Sequence, residues 1–212
     1  MTIKDLEKNK NKLTHHQLIG LKYFEDFEKM IPRSEIRQVE TMMKKVLHDL
    51  DPEFTVTICG SYRRGRSESG DIDALVTHSS LKASKNKKKH GEILLDKIIN
   101  SLKCLITETI SKGDTKFMGV CRLSTGHPSR RLDIRLIPHE QYHCAVLYFT
   151  GSDVFNKEMR AHALEKRFTL NEYSLRHIGV TGVPGEPIEL TSEEDIFDYI
   201  DFPYKRPEER NL

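Results

Sequence analysis

Two aspartates one residue apart, Asp71 and Asp73, stand in the segment Ser69-Gly70-Asp71-Ile72-Asp73. Successive side chains of a strand point to opposite faces, so the two carboxylates share one face while Ile72, Ala74 and Val76 share the other. Like charges this close are unfavourable unless a cation neutralises them, and carboxylate oxygens suit the hard cation Mg²⁺. The stretch Arg131-Leu132-Asp133-Ile134-Arg135 has the same form, with Leu132, Ile134 and Leu136 on one face and Asp133 on the other, between two arginines. If the two strands pair side by side, three carboxylates meet on an open sheet face, enough for two-metal phosphoryl transfer. Just upstream lies Gly60-Ser61-Tyr62-Arg63-Arg64-Gly65. There Gly60 lets a phosphate approach the backbone, Ser61 offers a hydroxyl, and Arg64 can grip phosphate as a fork. Gly70 leaves a bare amide before the first acid. Asp-x-Asp alone more often marks a strand end; the combination with Gly-Ser and a later strand aspartate is far more specific.

The elements that must carry these residues are α+β. Thr14 and Gln17 form a capping-box signature and open a helical pattern running to about Met30. Ser34 is expected to cap a second helix, with Ile36, Val39, Met43, Val46, Leu47 and Leu50 as its apolar stripe and Asp51-Pro52 as its end. Strands are expected at 54–59 and 72–77, with the Gly-Ser segment as a loop between them. A basic loop at 79–89 carries five lysines and no acid. A helix from about Glu92 to Leu102 and strands at 105–110, 117–123 and 131–137 follow. Beyond Pro138, helices are expected up to Gly151 and over 155–166. A small hairpin at 168–178, a Gly/Pro-rich loop at 181–187 and a last short helix from Ser192 complete the chain. The expected units are a helical lead-in (1–31), a unit with a mostly antiparallel sheet (32–138), and a C-terminal helical and hairpin subdomain (139–212).

Composition excludes several classes. The 212 residues include 37% hydrophobic and 31% charged residues, which is ordinary for a globular chain and not a disordered one. No apolar run approaches the ~20 residues of a membrane helix, and the first residues lack a signal-peptide core. The four cysteines are far apart with no C-x-x-C pair, so reduced thiols are expected. His139-Glu140-Gln141-Tyr142-His143 matches the zinc-peptidase string H-E-x-x-H. It follows Pro138 directly and has no compelling third ligand, so that chemistry is disfavoured.

Gly60-Ser61, Asp71-Ile72-Asp73 and Asp133 are similar to the pattern of the nucleotidyltransferase superfamily. Arg130–Pro138, Tyr148-Phe149-Thr150-Gly151-Ser152-Asp153 and Met159–Lys166 narrow the resemblance to the family X DNA polymerases. It runs from about Leu13 nearly to the end of the chain. It implies a template-directed DNA polymerase of gap-filling base-excision repair, adding dNMP from dNTP to a primer 3′-hydroxyl. The implied cofactors are two Mg²⁺ ions, with Mn²⁺ as a substitute. Asp71 and Asp73 would bind both ions and Asp133 the catalytic one. Ser61, Arg64, Ser69 and Gly70 would hold the triphosphate, with Gly60 beside them. Tyr148, Phe149 and Gly151 would pack on the sugar, and Asp153 and Asn156 would flank the base. Arg131 would lie near the primer terminus, Arg160 and Tyr173 near the template, and Lys112, Thr115 and Lys116 on the DNA backbone. Met30 stands where the resemblance implies a basic residue reaching the triphosphate tail, which leaves the nucleotide affinity of this chain an open question. The implied partners are gapped or primed duplex DNA, dNTP and repair proteins, with no membrane, in the nucleus or also the cytoplasm. The family's lyase domain and helix-hairpin-helix motifs are not in this sequence, so no lyase activity is expected from it. The alternatives are a template-independent nucleotidyltransferase and a catalytically weak fragment that binds DNA or a partner.

Overall fold

The computed structural model describes residues 2–83 and 88–212, so 84–87 of the lysine run lie outside the described residues. In chain order the first elements are α1 (Ile3–Lys8), α2 (His15–Lys22), α3 (Phe24–Phe27), β1 (Ile31–Pro32) and α4 (Arg33–Leu50). Then come β2 (Phe54–Ile58), α5 (Gly60–Arg63), β3 (Glu68–Ser69), β4 (Ile72–His78), α6 (Lys88–Ser101), β5 (Ile106–Lys112), β6 (Lys116–Cys121) and β7 (Arg130–Leu136). The last part holds α7 (Tyr142–Thr150), α8 (Asp153–Glu165), β8 (Phe168–Leu170), β9 (Leu175–Ile178), β10 (Pro184–Pro187) and α9 (Glu194–Tyr199). No helix among the described residues is long and apolar enough to cross a membrane. All four cysteines are free thiols.

The central sheet runs in the order β2-β4-β7-β6-β5. Only the β4–β7 pairing is parallel; the others are antiparallel. Alternation does what the sequence implies. Ile72, Ala74, Val76, Leu132, Ile134 and Leu136 are all buried on one face, against Ile36, Val39, Met43 and Leu47 of α4 and Leu95 and Ile98 of α6. Each Val, Leu, Ile or Met side chain among these contributes about 2 kcal/mol on full burial. Gly119 of β6 is required by this packing: a Cβ there would collide with the Phe117 ring and come within 2.7 Å of the Glu108 carbonyl oxygen. Gly119→Ala is therefore expected to lose about 2 kcal/mol of stability, read as a lower urea midpoint at unchanged slope.

A second core holds α7, α8, α9 and the β10-β9-β8 sheet together through Leu147, Phe155, Met159, Leu175, Ile196 and Phe197. A small third cluster, Cys59, Leu75, Tyr142, Ala145 and Val146, joins it to the central sheet.

Four local expectations are corrected. The first long helix breaks at Tyr23, whose hydroxyl donates to Glu108 Oε2 (2.7 Å) beside Lys22 Nζ on the same oxygen, so the chain turns to meet β5. Helix α4 begins at Arg33 behind Pro32, and Ser34 lies inside the first turn rather than capping it. The Gly-Ser loop is a single helical turn, α5, entered through Gly60 at φ +60°. The Gly/Pro stretch contains a strand, β10, at a sheet edge where proline's missing N–H is tolerated.

Candidate active site

Parallel pairing of β4 with β7 sets Asp73 opposite Asp133 in register, on the face away from the buried aliphatics. Neighbouring strands lie about 4.8 Å apart, so the two carboxylates confront each other. Burial, then the Asp133 charge, raises the pKa of Asp73, while Arg135 and Lys116 partly offset this. Burial likewise raises Asp133, with Arg131, Lys116 and Arg135 opposing. Asp133 Oδ1 is buried and has no hydrogen-bond partner. Asp73 Oδ2 lies 3.1 Å from where a Cβ on Gly60 would be, so the bare glycine admits this carboxylate to the backbone.

Asp71 departs from the expected convergence. It precedes the strand, and its carboxylate is held by the Arg131 guanidinium, whose Nε stands 3.8 Å from Asp133 Oδ1. The arginine thus supplies positive charge between two of the three acids. Consequently, among the described residues, no three His, Cys, Asp or Glu side chains are grouped closely enough to hold an ion. That includes His139 and His143, which fall in a 3₁₀ turn and the start of α7.

The glycine turn is fastened to the C-terminal subdomain. Arg64 Nη1 donates to the Thr150 carbonyl oxygen (2.6 Å) and Arg63 Nη1 to the Thr150 hydroxyl (2.7 Å). Ser61 donates to Ser69 (2.7 Å), joining the two hydroxyls expected around a phosphate. Gly151 follows at φ +61°, and Ser152 caps α8. Asn156 Nδ2 donates to the Tyr148 carbonyl oxygen (2.7 Å), and Arg160 Nε to the Asn156 carbonyl oxygen (3.2 Å). Tyr148 and Phe149 meet edge to face at 5.1 Å, with Arg135 over Phe149. Hydrogen bonds and chain continuity thus tie Arg64 of the glycine turn to the end of α7 and link Tyr148, Asn156 and Arg160 to one another. Asp153 pairs with Lys157 on the exposed start of α8.

The remaining expected residues are spread wider. Lys112 is paired with Asp96 (2.6 Å) at the far strand of the sheet. Thr115, Lys116 and Tyr173 line a cavity of about 300 Å³ with Arg135, Phe149 and Glu172. Another groove, about 730 Å³, lies along His139, His143 and Arg176 and is lined by none of Asp71, Asp73 and Asp133. Arg135 was missed as a site residue, although its symmetry with Arg131 about Asp133 was visible.

The model of the DNA polymerase beta palm matches residues 30–139, and that of the DNA polymerase beta thumb matches 145–211. The chain belongs to the DNA polymerase beta family. A model of the fingers domain of DNA polymerase lambda matches residues 1–28. Among curated relatives, DNA polymerase lambda of Rattus norvegicus is 34% identical over 94% of this chain and 36% of its own length. DNA polymerase lambda of Arabidopsis thaliana is 32% identical over the whole chain and 42% of its own length. DNA nucleotidylexotransferase of Xenopus laevis is 29% identical over the whole chain and 48% of its length. The chain thus spans less than half the length of these relatives.

Proposed function

We propose that this chain is the catalytic part of a template-directed DNA polymerase, extending a primer 3′-hydroxyl by dNMP from dNTP with release of pyrophosphate. The reading is carried by the in-register Asp73–Asp133 pair on an open face beside the Ser61–Ser69 turn. The donor set fits hard divalent cations: a buried Asp133 and a half-buried Asp73 facing it, the former with an unpartnered oxygen, call for positive charge. Asp71, Asp73 and Asp133 would hold Mg²⁺, or Mn²⁺ in its place. Bound there, the ions would supply charge neutralisation at the attacking and leaving oxygens. The protein's own groups do the rest. Arg131 releases Asp71 so that the carboxylate is free to ligate, and Asp133 accepts a hydrogen bond from the primer hydroxyl. Ser61, Ser69 and the Gly70 amide hold the phosphates, while Tyr148, Phe149 and Gly151 shape the sugar pocket. Gapped DNA, repair-protein partners and a nuclear place of work belong to this reading.

Magnesium-dependent incorporation opposite a defined template base, by this chain alone, is the deciding measurement. Only the complementary dNTP is expected to be added. The 29% likeness to a DNA nucleotidylexotransferase favours template-independent addition as the second reading. Equal incorporation of all four dNTPs, whatever the template base, would establish that one instead.

A further inference from the structure

Strand β7 pairs with β6 from Arg130 onward, but with β4 only from Leu132, which stands opposite Ile72. Arg130 and Arg131 therefore overhang β4, and this overhang carries the guanidinium that captures Asp71. Among the described residues Asp71 is that side chain's one hydrogen-bond partner; Arg131 Nε is buried and unpartnered, as is Asp133 Oδ1 at 3.8 Å from it. A second hold on the overhang comes from outside the sheet. The Arg130 side chain leaves the strand on the face opposite to Arg131 and is buried. Its Nε and Nη2 donate to Glu35 Oε1 and Oε2, each at 2.8 Å, a two-point clamp to a carboxylate in the first turn of α4 that is buried as well. Its Nη1 donates to the carbonyl oxygens of Lys29 (2.9 Å) and Met30 (3.4 Å), and the Ser129 amide donates to Asp26 Oδ2 (2.8 Å). Every one of these acceptors lies within residues 26–35, where the lead-in helices join α4. A buried ion pair adds little net stability over well-packed apolar side chains, whereas its directional hydrogen bonds fix one geometry.

We propose that Glu35, acting through Arg130, is a positioning residue for Arg131: the clamp sets where the overhang delivers that guanidinium between Asp71 and Asp133. It acts by fixing the backbone from which Arg131 departs. The consequence for primer extension rests on the polymerase reading; the positioning itself does not. A displacement of about 1 Å at a reacting group costs up to about a hundredfold in rate, so a clamp remote from the acids has leverage on them.

Two variants and two readouts on the full chain test it. Glu35→Gln keeps the shape and removes the charge. Glu35→Leu with Arg130→Met replaces the pair by apolar side chains, and keeps the test open should the lone buried Arg130 of the first variant unsettle the fold. In either, the kcat of templated extension with Mg²⁺ is expected to fall about tenfold or more, with the KM for dNTP within about twofold of wild type. In an Arg131→Ala background the same changes should cost no further rate, because the residue they act through is gone. The second readout is the Arg131 Nε–H signal in the nitrogen–proton NMR spectrum, assigned by its loss in Arg131→Ala. It should shift or broaden in each variant while circular dichroism stays unaltered. Equal fractional losses of rate with and without Arg131, wild-type kcat in a variant with a lowered urea midpoint, or an unmoved Arg131 signal in a folded variant overturns the assignment. Failure of the polymerase reading looks different: the wild-type chain would then lack templated extension, while its Arg131 signal still answered to Glu35.

Discussion

In Asp133→Asn, primer extension is expected to fall by roughly 10³-fold or more while the protein stays folded and still binds dNTP. The substitution keeps the shape of a side chain that is 7% exposed in the middle of β7, and removes only its charge and basicity. Asp73 faces it in register, and each carboxylate binds protons more tightly in the fold than in the unfolded chain, so the pair opposes folding at neutral pH. Removing one charge should leave the urea midpoint unchanged or raise it. This separates a chemical role from a structural one: an unstable Asp133→Asn would mean that the carboxylate holds β7 in place. Nucleotide binding should persist because Asp73 and the Ser61–Ser69 turn are untouched, whereas Asp71→Ala should damage binding and extension together. Extension within about tenfold of wild type in Asp133→Asn would remove this carboxylate from the chemistry.

The aspartates were legible because period-two alternation is a local property: Ile72 and Leu132 had to point into the core, so Asp73 and Asp133 had to point out of it. That the two strands are neighbours followed from neither pattern; it came from the resemblance and is set by the packing of α4 and α6 beneath the sheet. The capture of Asp71 by Arg131 was not legible. It depends on side-chain reach across 60 positions and on Asp71 lying just before the strand, where the backbone no longer fixes its direction. The same holds for Asn211, which gathers Arg64 and Arg66 from 145 and more residues away. Single-turn α5 hid behind a glycine-rich composition that reads as loop, and β10 behind two prolines that an edge strand accepts. The Thr14–Gln17 box was visible because both halves of a capping box lie within one turn.

Glu193→Ala is expected to cost about 3–5 kcal/mol, a large share of the stability of a domain this size. Glu193 lies between two arginines. Its Oε1 accepts from Arg210 Nη1 (2.6 Å) and Arg63 Nη1 (3.1 Å), and its Oε2 accepts from Arg63 Nη2 (2.8 Å). Arg210 is fully buried, stacked 5.3 Å from both Phe155 and Phe197, and cannot reach water when its partner is lost. Burial pushes the Glu193 carboxyl up, but the hydrogen bonds and charges of the two arginines more than offset it, leaving the pKa below the ordinary range. The sign follows. Stability from this group is complete above the unfolded carboxyl's pKa and disappears as pH falls through the lower folded value. Glu193→Gln, which keeps the shape and loses the charge, should therefore approach wild-type stability on acidification, in urea melts followed from neutral pH downward. A gap that stays constant with pH would locate the loss in packing and not in charge. Breaking the cluster differs from replacing it: a triple change of Arg63→Met, Glu193→Leu and Arg210→Met removes all three charges of the cluster and need not destabilise the fold. It does remove the only ion pair among the described residues between α5 and the C-terminal subdomain. If that link serves to hold the glycine turn against Thr150, the triple variant should remain stable yet show a raised KM for dNTP.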